Sequence, residues 1–161
     1  MKVLKGPTIV KFWESFVHNQ KIYIVMEFAC QGALSSLISK KIASVGKFET
    51  RTILQYIAQI TLAIMVMHAK NILHRDVKTQ NIFIAKNGVL KLGDFGISRE
   101  LESRDAKAGT SCGTPLFMPP EVCLGKPYDH KADVWAVGVI LYELITLRKP
   151  FESETINGVL Q

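Results

Sequence analysis

The chain has 161 residues, 48% apolar and 21% charged, with 11 glycines and 6 prolines, which fits one domain of roughly 100–200 residues and excludes a disordered tail, a collagen-like repeat or a solenoid. Twenty Lys and Arg against fourteen Asp and Glu leave +6, spread along the chain without the basic stripe and interleaved aromatics that nucleic acid or an anionic membrane would need. Cys30, Cys112 and Cys123 are odd in number and lack Cys-x-x-Cys spacing, which points away from a disulfide framework or structural zinc and toward reduced thiols in the cytoplasm.

Gly6 and Pro7 interrupt the amino terminus before a run of signal-peptide length, so secretion is not expected. Residues 9–17 and 22–28 are rich in β-branched and aromatic side chains around the polar turn His18, Asn19, Gln20, the pattern of a hairpin. A short helix is expected over 33–41. Across 49–68 the positions Ile53, Ile57, Ile60, Ile64 and Met67 recur at alternating steps of four and three, the period of one helical face against a core. Residues 82–85 and 89–92 are apolar runs joined by Lys86, Asn87 and Gly88, where Asn-Gly supplies the positive φ of a tight turn. Five glycines and three prolines in the 33 residues 93–125, with no sustained period, predict a long loop, and loops of that length in small domains are commonly functional. From 130 to 147 apolar residues, including Trp135, Val139, Tyr142 and Ile145, nearly encircle a helix, which predicts burial on most sides. The most apolar stretches, 57–69 and 134–142, fall short of the ~20 residues that span a bilayer, so no membrane insertion is expected.

The chemistry gathers around the second hairpin. His74-Arg75-Asp76-Val77-Lys78-Thr79-Gln80-Asn81 lies just before its first strand, and Asp94-Phe95-Gly96 just after its second. In an antiparallel pair, the loop entering one strand and the loop leaving the next share an edge, so Asp76, Lys78, Asn81 and Asp94 are expected to converge. Phosphoryl transfer requires such a set: hard oxygen ligands for Mg²⁺, a carboxylate to orient the attacking hydroxyl, and a cation near the transferred group.

With Pro119-Pro120-Glu121 where the family has Ala-Pro-Glu, these strings make the chain resemble the eukaryotic protein kinases from residue 1 to 161. Lys78 two residues after Asp76, and Gly113-Thr114-Pro115, resemble the serine/threonine branch. Residues 79–83 and 113–118 are most similar to the NIMA-related kinases. The resemblance implies an α+β, protein-kinase-like bilobal fold in truncated form, a mostly helical large lobe with a β-hairpin remnant of the small lobe. Residues 1–26 would be that remnant, 27–31 the hinge and 32–161 the truncated large lobe.

It also implies transfer of the γ-phosphoryl group of ATP, with Mg²⁺, to protein Ser or Thr hydroxyls. Asp76 would orient the hydroxyl, Lys78 would neutralise charge on the transferred group, and Asn81 and Asp94 would hold magnesium. Met26 stands at the gatekeeper position, Glu27 to Ala29 would present backbone groups to adenine, and Phe83 with Leu34 would form the floor. Glu27's acidity is expected to matter little there. Phe95 and His74 would pack together with Phe12 above, and Asp133 would anchor them from the last helix. Arg75 would receive a phosphorylated loop residue, Thr110 being the candidate and Ser111 the runner-up, while Thr114 would touch Asp76 and Lys78. The β-branched Ile97 implies threonine over serine as acceptor. Partners would be protein substrates and a regulatory protein, in the cytoplasm or on the cytoskeleton or nucleus.

The chain departs from the family in lacking Gly-x-Gly-x-x-Gly and Val-Ala-Ile-Lys, and carries Ala33, Phe117 and Pro119 at positions where other residues are usual. It therefore reads as a piece of a longer domain, with Glu121 short of its usual arginine and residues 1–28 expected to be poorly ordered, since a lone hairpin is marginal in water. A non-catalytic protein-interaction module is the alternative, and a metal- or nucleic-acid-binding module a weaker third.

Overall fold

The computed structural model describes residues 3–103, 106–109, 113–151 and 158. In chain order they form β1 (Phe12–His18), β2 (Lys21–Met26), α1 (Leu34–Ala43), α2 (Thr50–His68), β3 (Ile72–Leu73), β4 (Ile82–Ile84), β5 (Leu90–Leu92), β6 (Arg99–Glu100), α3 (Pro120–Cys123) and α4 (Lys131–Thr146), with 3-10 turns at Thr79–Asn81 and Pro115–Phe117. The strands pair as antiparallel ladders β1–β2, β3–β6 and β4–β5.

The helical period reads correctly in α2, whose Ile53, Ile60, Ala63, Ile64 and Met67 are buried where the helix meets α4, β5 and β3. With 19 residues, α2 is long and apolar enough to cross a membrane by length and composition, beyond the shorter stretch expected from the sequence. Its inward face nevertheless belongs to the main core, with Ile38, Ile82, Leu92, Ile140 and Leu144.

For α4 the expected all-round burial is corrected. Ala136, Val139, Ile140 and Leu144 are buried, whereas Val134, Trp135, Tyr142 and Ile145 are exposed. One side of the helix packs on α2 and the Pro115–Phe117 turn; on the other, Trp135 stacks on Phe151 with centroids 6.1 Å apart.

In the first hairpin, Asn19 and Gln20 both adopt left-handed φ values, 48° and 59°, as a two-residue turn of this hand requires. His18 pairs with Lys21 and so belongs to β1 rather than to the turn. Residues 9–11 do not extend β1; Ile9 bridges Leu92, the Val10 N–H donates to the Leu92 carbonyl at 2.9 Å, and the Leu92 N–H donates to the Thr8 carbonyl at 2.8 Å. Those bonds join the chain before the hairpin to β5. Both faces of the hairpin remain bare: Trp13, Phe16, Val17, Ile22, Tyr23 and Ile24 are exposed.

The loop expected over 93–125 contains β6, a 3-10 turn and α3. These elements span two to four residues, too short to print a period in the sequence. In the β4–β5 turn only Gly88 has positive φ (79°), and Asn87 contributes through its side chain, whose Oδ1 accepts the Val89 N–H at 3.2 Å.

Candidate active site

The loop before β4 is hung from α4. Asp133, 2% exposed, accepts the His74 N–H on Oδ2 at 3.0 Å and the Arg75 N–H on Oδ1 at 2.9 Å, and its Oδ2 lies 2.8 Å from His68 Nε2. This three-way use satisfies a buried carboxylate that would otherwise be costly, and it holds Arg75 at φ 70°, a conformation an ordinary residue keeps only when its surroundings fix it. Asp133 thus takes the anchoring place expected of it. His68 was not foreseen; its signal was its position at the last turn of the α2 pattern.

Burial pushes the His74 imidazole below its ordinary pKa, against the pull of Asp133, the Gly93 carbonyl, Asp76 and Asp94. The neutral ring then donates Nε2–H to the Gly93 carbonyl at 3.0 Å and accepts the Asp76 N–H on Nδ1 at 3.3 Å. His74 and Phe95 pack with ring centroids 5.4 Å apart, as expected. Phe12 has no ring contact with either among the described residues and lines a separate cavity with Leu4, Ile9 and Trp13.

Asp76 is the hub. Its Oδ2 lies 2.6 Å from Lys78 Nζ and accepts Asn81 Nδ2 at 3.0 Å, and its Oδ1 accepts the Thr114 hydroxyl at 2.8 Å. Lys78 Nζ also donates to Thr114 Oγ1 at 2.8 Å. Burial alone would push the Asp76 carboxyl up, but the bonds from Lys78, Thr114 and Asn81 prevail and hold it below the usual carboxylate range. It is therefore ionised at neutral pH. Thr114 reaches this hub because Gly113, at φ 124°, passes so close to the catalytic loop that a Cβ there would stand 2.5 Å from the Arg75 carbonyl oxygen.

Asn81 spends its amide N–H₂ group on the Asp76 carboxylate and carbonyl, so its Oδ1 is the atom left for a ligand. The Gly93 N–H donates to the Asn81 carbonyl at 2.9 Å, which brings Asp94 beside Asn81. Asp94 is exposed at φ 57°, and among the described residues its carboxylate accepts one bond, from the Gly96 N–H at 3.4 Å. One carboxylate and one amide oxygen, both hard ligands, suit Mg²⁺, which takes few protein ligands and completes its shell from phosphates and water. No cluster of three His, Cys, Asp or Glu that could hold a metal is found among the described residues.

Beyond the hub, Phe83 lies in β4 with Ala33 bridged to it, and Leu34 is wholly buried. Leu34, expected with Phe83 on the floor, follows Ala33 in the chain with its side chain in the main core. Gly93 is needed under Phe83, since a Cβ there would stand 2.9 Å from Val10 Cγ2 and 3.0 Å from Phe83 Cε2. Met26 is exposed and pairs with Phe12 at the end of β2. Among the described residues, the Glu27 carbonyl and the Ala29 N–H have no hydrogen-bond partner. Arg75 Nε donates to the Ile97 carbonyl. Thr110 and Ser111 lie outside the described residues.

A family profile described as protein kinase domain matches residues 1–161. The chain belongs to the protein kinase family. Within it the chain is similar to serine/threonine-protein kinase Nek1 of Mus musculus, 43% identical over 157 residues, and to serine/threonine-protein kinase Nek5 of Homo sapiens, 44% identical over 161. Serine/threonine-protein kinase nekl-2 of Caenorhabditis elegans is 40% identical over 166 residues. These matches cover 98%, 99% and 99% of the chain but only 13%, 22% and 46% of the respective relatives, so the chain spans less than half the length of each. The resemblance to NIMA-related kinases and the truncated bilobal kinase fold thus hold for this kinase domain.

Proposed function

We propose that this kinase domain serves ATP-dependent transfer of a phosphoryl group to Ser or Thr hydroxyls of protein substrates. The observation that carries the reading is the network in which Asp76, Lys78 and Thr114 bond one another and Asn81 bonds Asp76. Asp76, kept ionised by its donors, accepts or orients the proton of the incoming hydroxyl. Lys78, already fixed on Asp76 and Thr114, offers its charge to the transferred group as negative charge spreads over the equatorial oxygens. Asn81 Oδ1 and the Asp94 carboxylate would hold Mg²⁺, whose charge would offset that of the phosphate oxygens. The Glu27 carbonyl and Ala29 N–H receive the adenine edge beside Met26, with Phe83 as the floor and Leu34 beneath.

On this reading residues 1–26 are a small-lobe remnant, 27–31 the hinge and 32–161 a truncated large lobe. Arg75 receives a phosphate on Thr110, Ile97 biases the acceptor toward threonine, and the protein works in the cytoplasm, or on the cytoskeleton or nucleus, with a regulatory protein as partner. The bare faces of the β1–β2 hairpin favour a second reading, a non-catalytic module that binds other proteins through exposed apolar surface. The test is transfer of labelled phosphate from Mg²⁺-ATP to paired Ser and Thr peptides, with Asp76→Asn as control. Transfer that falls at least about 10³-fold in Asp76→Asn supports the enzyme; transfer unaffected by that change supports the module.

A further inference from the structure

We propose that Lys91 is a positioning residue for the adenine slot, acting through an ion pair with Glu27 that ties the hinge to the floor; the inference rests on the nucleotide-site reading above. Lys91 is the central residue of β5, and its backbone stands opposite Phe83 in the ladder with β4. Its side chain works elsewhere. The ammonium lies 3.0 Å from Glu27 Oε2 and donates to the Pro7 carbonyl at 3.0 Å.

Glu27 is fastened from a second side. Its Oε2 accepts the Lys11 N–H at 3.2 Å, and its own N–H donates to the Lys11 carbonyl at 2.8 Å. The segment carrying Pro7 and Lys11 is itself joined to β5 through Thr8, Val10 and Leu92. One cation therefore closes a ring of contacts among the chain before β1, the first hinge residue and the strand that backs Phe83.

The environment makes this pair more than a surface contact. The Lys91 side chain is 13% exposed and that of Glu27 30%, and both line a cavity of about 450 Å³ with Leu4, Lys11, Phe12 and Trp13. Exposed pairs of flexible chains contribute little, whereas a partly desolvated pair with charge-assisted bonds at both ends resists rearrangement. Removing the cation frees the Pro7 carbonyl and leaves the Glu27 carboxylate with the Lys11 N–H alone. The far end of the hinge stays joined to β4 through the Gln31 N–H and the Ile84 carbonyl, so what loosens is the setting of Glu27 at the start of the hinge, and with it the spacing that grips a flat ring. The acidity of Glu27 thus acts through its side chain rather than through the hinge backbone.

Lys91→Met, Lys91→Arg, Glu27→Gln and the double change Lys91→Met with Glu27→Gln are titrated with adenosine in the full chain. Lys91→Met and Glu27→Gln should each weaken binding about threefold to tenfold, between the worth of an exposed ion pair and that of a charge-assisted hydrogen bond. The double change should weaken it no further than either alone, and Lys91→Arg should keep it within about twofold. Equal affinity in Lys91→Met and the unsubstituted chain, or additive losses in the double change, overturns the inference. Absence of adenosine binding in the unsubstituted chain overturns the nucleotide-site reading instead. The tie is then read from hydrogen exchange, where the Lys11 and Glu27 amides must open about threefold to tenfold faster in Lys91→Met, and unchanged rates overturn it.

Discussion

Replacing Gly113 with alanine tests whether Thr114 completes the catalytic hub. The new Cβ would stand 2.5 Å from the Arg75 carbonyl oxygen and 3.3 Å from Met118 Cε. Methionine can swing away, but the carbonyl cannot retreat, because the His74 and Arg75 amides before it are fixed on Asp133 at 3.0 and 2.9 Å and the Asp76 amide after it on His74 Nδ1 at 3.3 Å. A φ of 124° costs a residue with a side chain about 1–3 kcal/mol, and overlap with fixed backbone adds about 1–3 kcal/mol. Opposing this are the bonds of Thr114 to Asp76 and Lys78, both 2.8 Å, worth about 1.5–3 kcal/mol each when a partner is charged. A net excess of strain of about 2 kcal/mol, within these ranges, leaves Thr114 in the hub in about one molecule in 30. A loss of about 2 kcal/mol of productive geometry is about 30-fold in rate. Steady-state transfer to a Ser/Thr peptide should show kcat/KM for peptide down by about 30-fold or more in Gly113→Ala, with Thr114→Ala similar and affinity for adenosine within about twofold. Peptide kinetics within about threefold of the unsubstituted protein would refute the reasoning.

Two other perturbations probe the floor and the core. Gly93→Ala places a methyl 2.9 Å from Val10 Cγ2 and 3.0 Å from Phe83 Cε2, so Phe83 must shift by a few tenths of an ångström; adenosine affinity should fall about tenfold by calorimetric titration, while the melting temperature changes little. Burial pushes the Glu143 carboxyl above its ordinary pKa, with Lys149 and the Thr79 hydroxyl only partly opposing it. Because the folded pKa is the higher one, stability is greatest below the unfolded value and declines as pH rises through the folded one. Glu143→Gln keeps a partner for Thr79, whose hydroxyl lies 3.3 Å from Glu143 Oε2, and should remove that decline, raising the urea midpoint at pH 7 but not at pH 4.

What could be read from the sequence was what is written locally. The 4-3 spacing from Ile53 to Met67 belongs to one face of one helix, and α2 carries it. The two motif strings flank a hairpin, and an antiparallel pair brings its outer loops to one edge, so Asp76, Lys78 and Asn81 meet, with Asp94 beside them. The remainder depends on partners far along the chain. Apolar residues surround α4, but which of them are covered depends on where α2 lies, and Val134 and Tyr142 face away from it. The positive φ of Arg75 and Asp94 contradicts local preference and is held by contacts 58 and more residues away in one case, at Asp133. Leu34 showed its apolar character but not its depth, since burial of a helix's first residue depends on what packs over it. The β3–β6 ladder joins segments of two residues, below the length at which alternation can be seen.

Hanging the His74–Arg75 backbone from a side chain of α4 has a mechanical consequence. Amides at 2.9 and 3.0 Å from one carboxylate tolerate displacements well below the ~1.5 Å axial rise of one helical residue. The loop that carries Asp76 is thereby geared to the helix beneath it. Any event that slides or tilts α4 along its axis would be felt at Asp76 before it disturbed the strands.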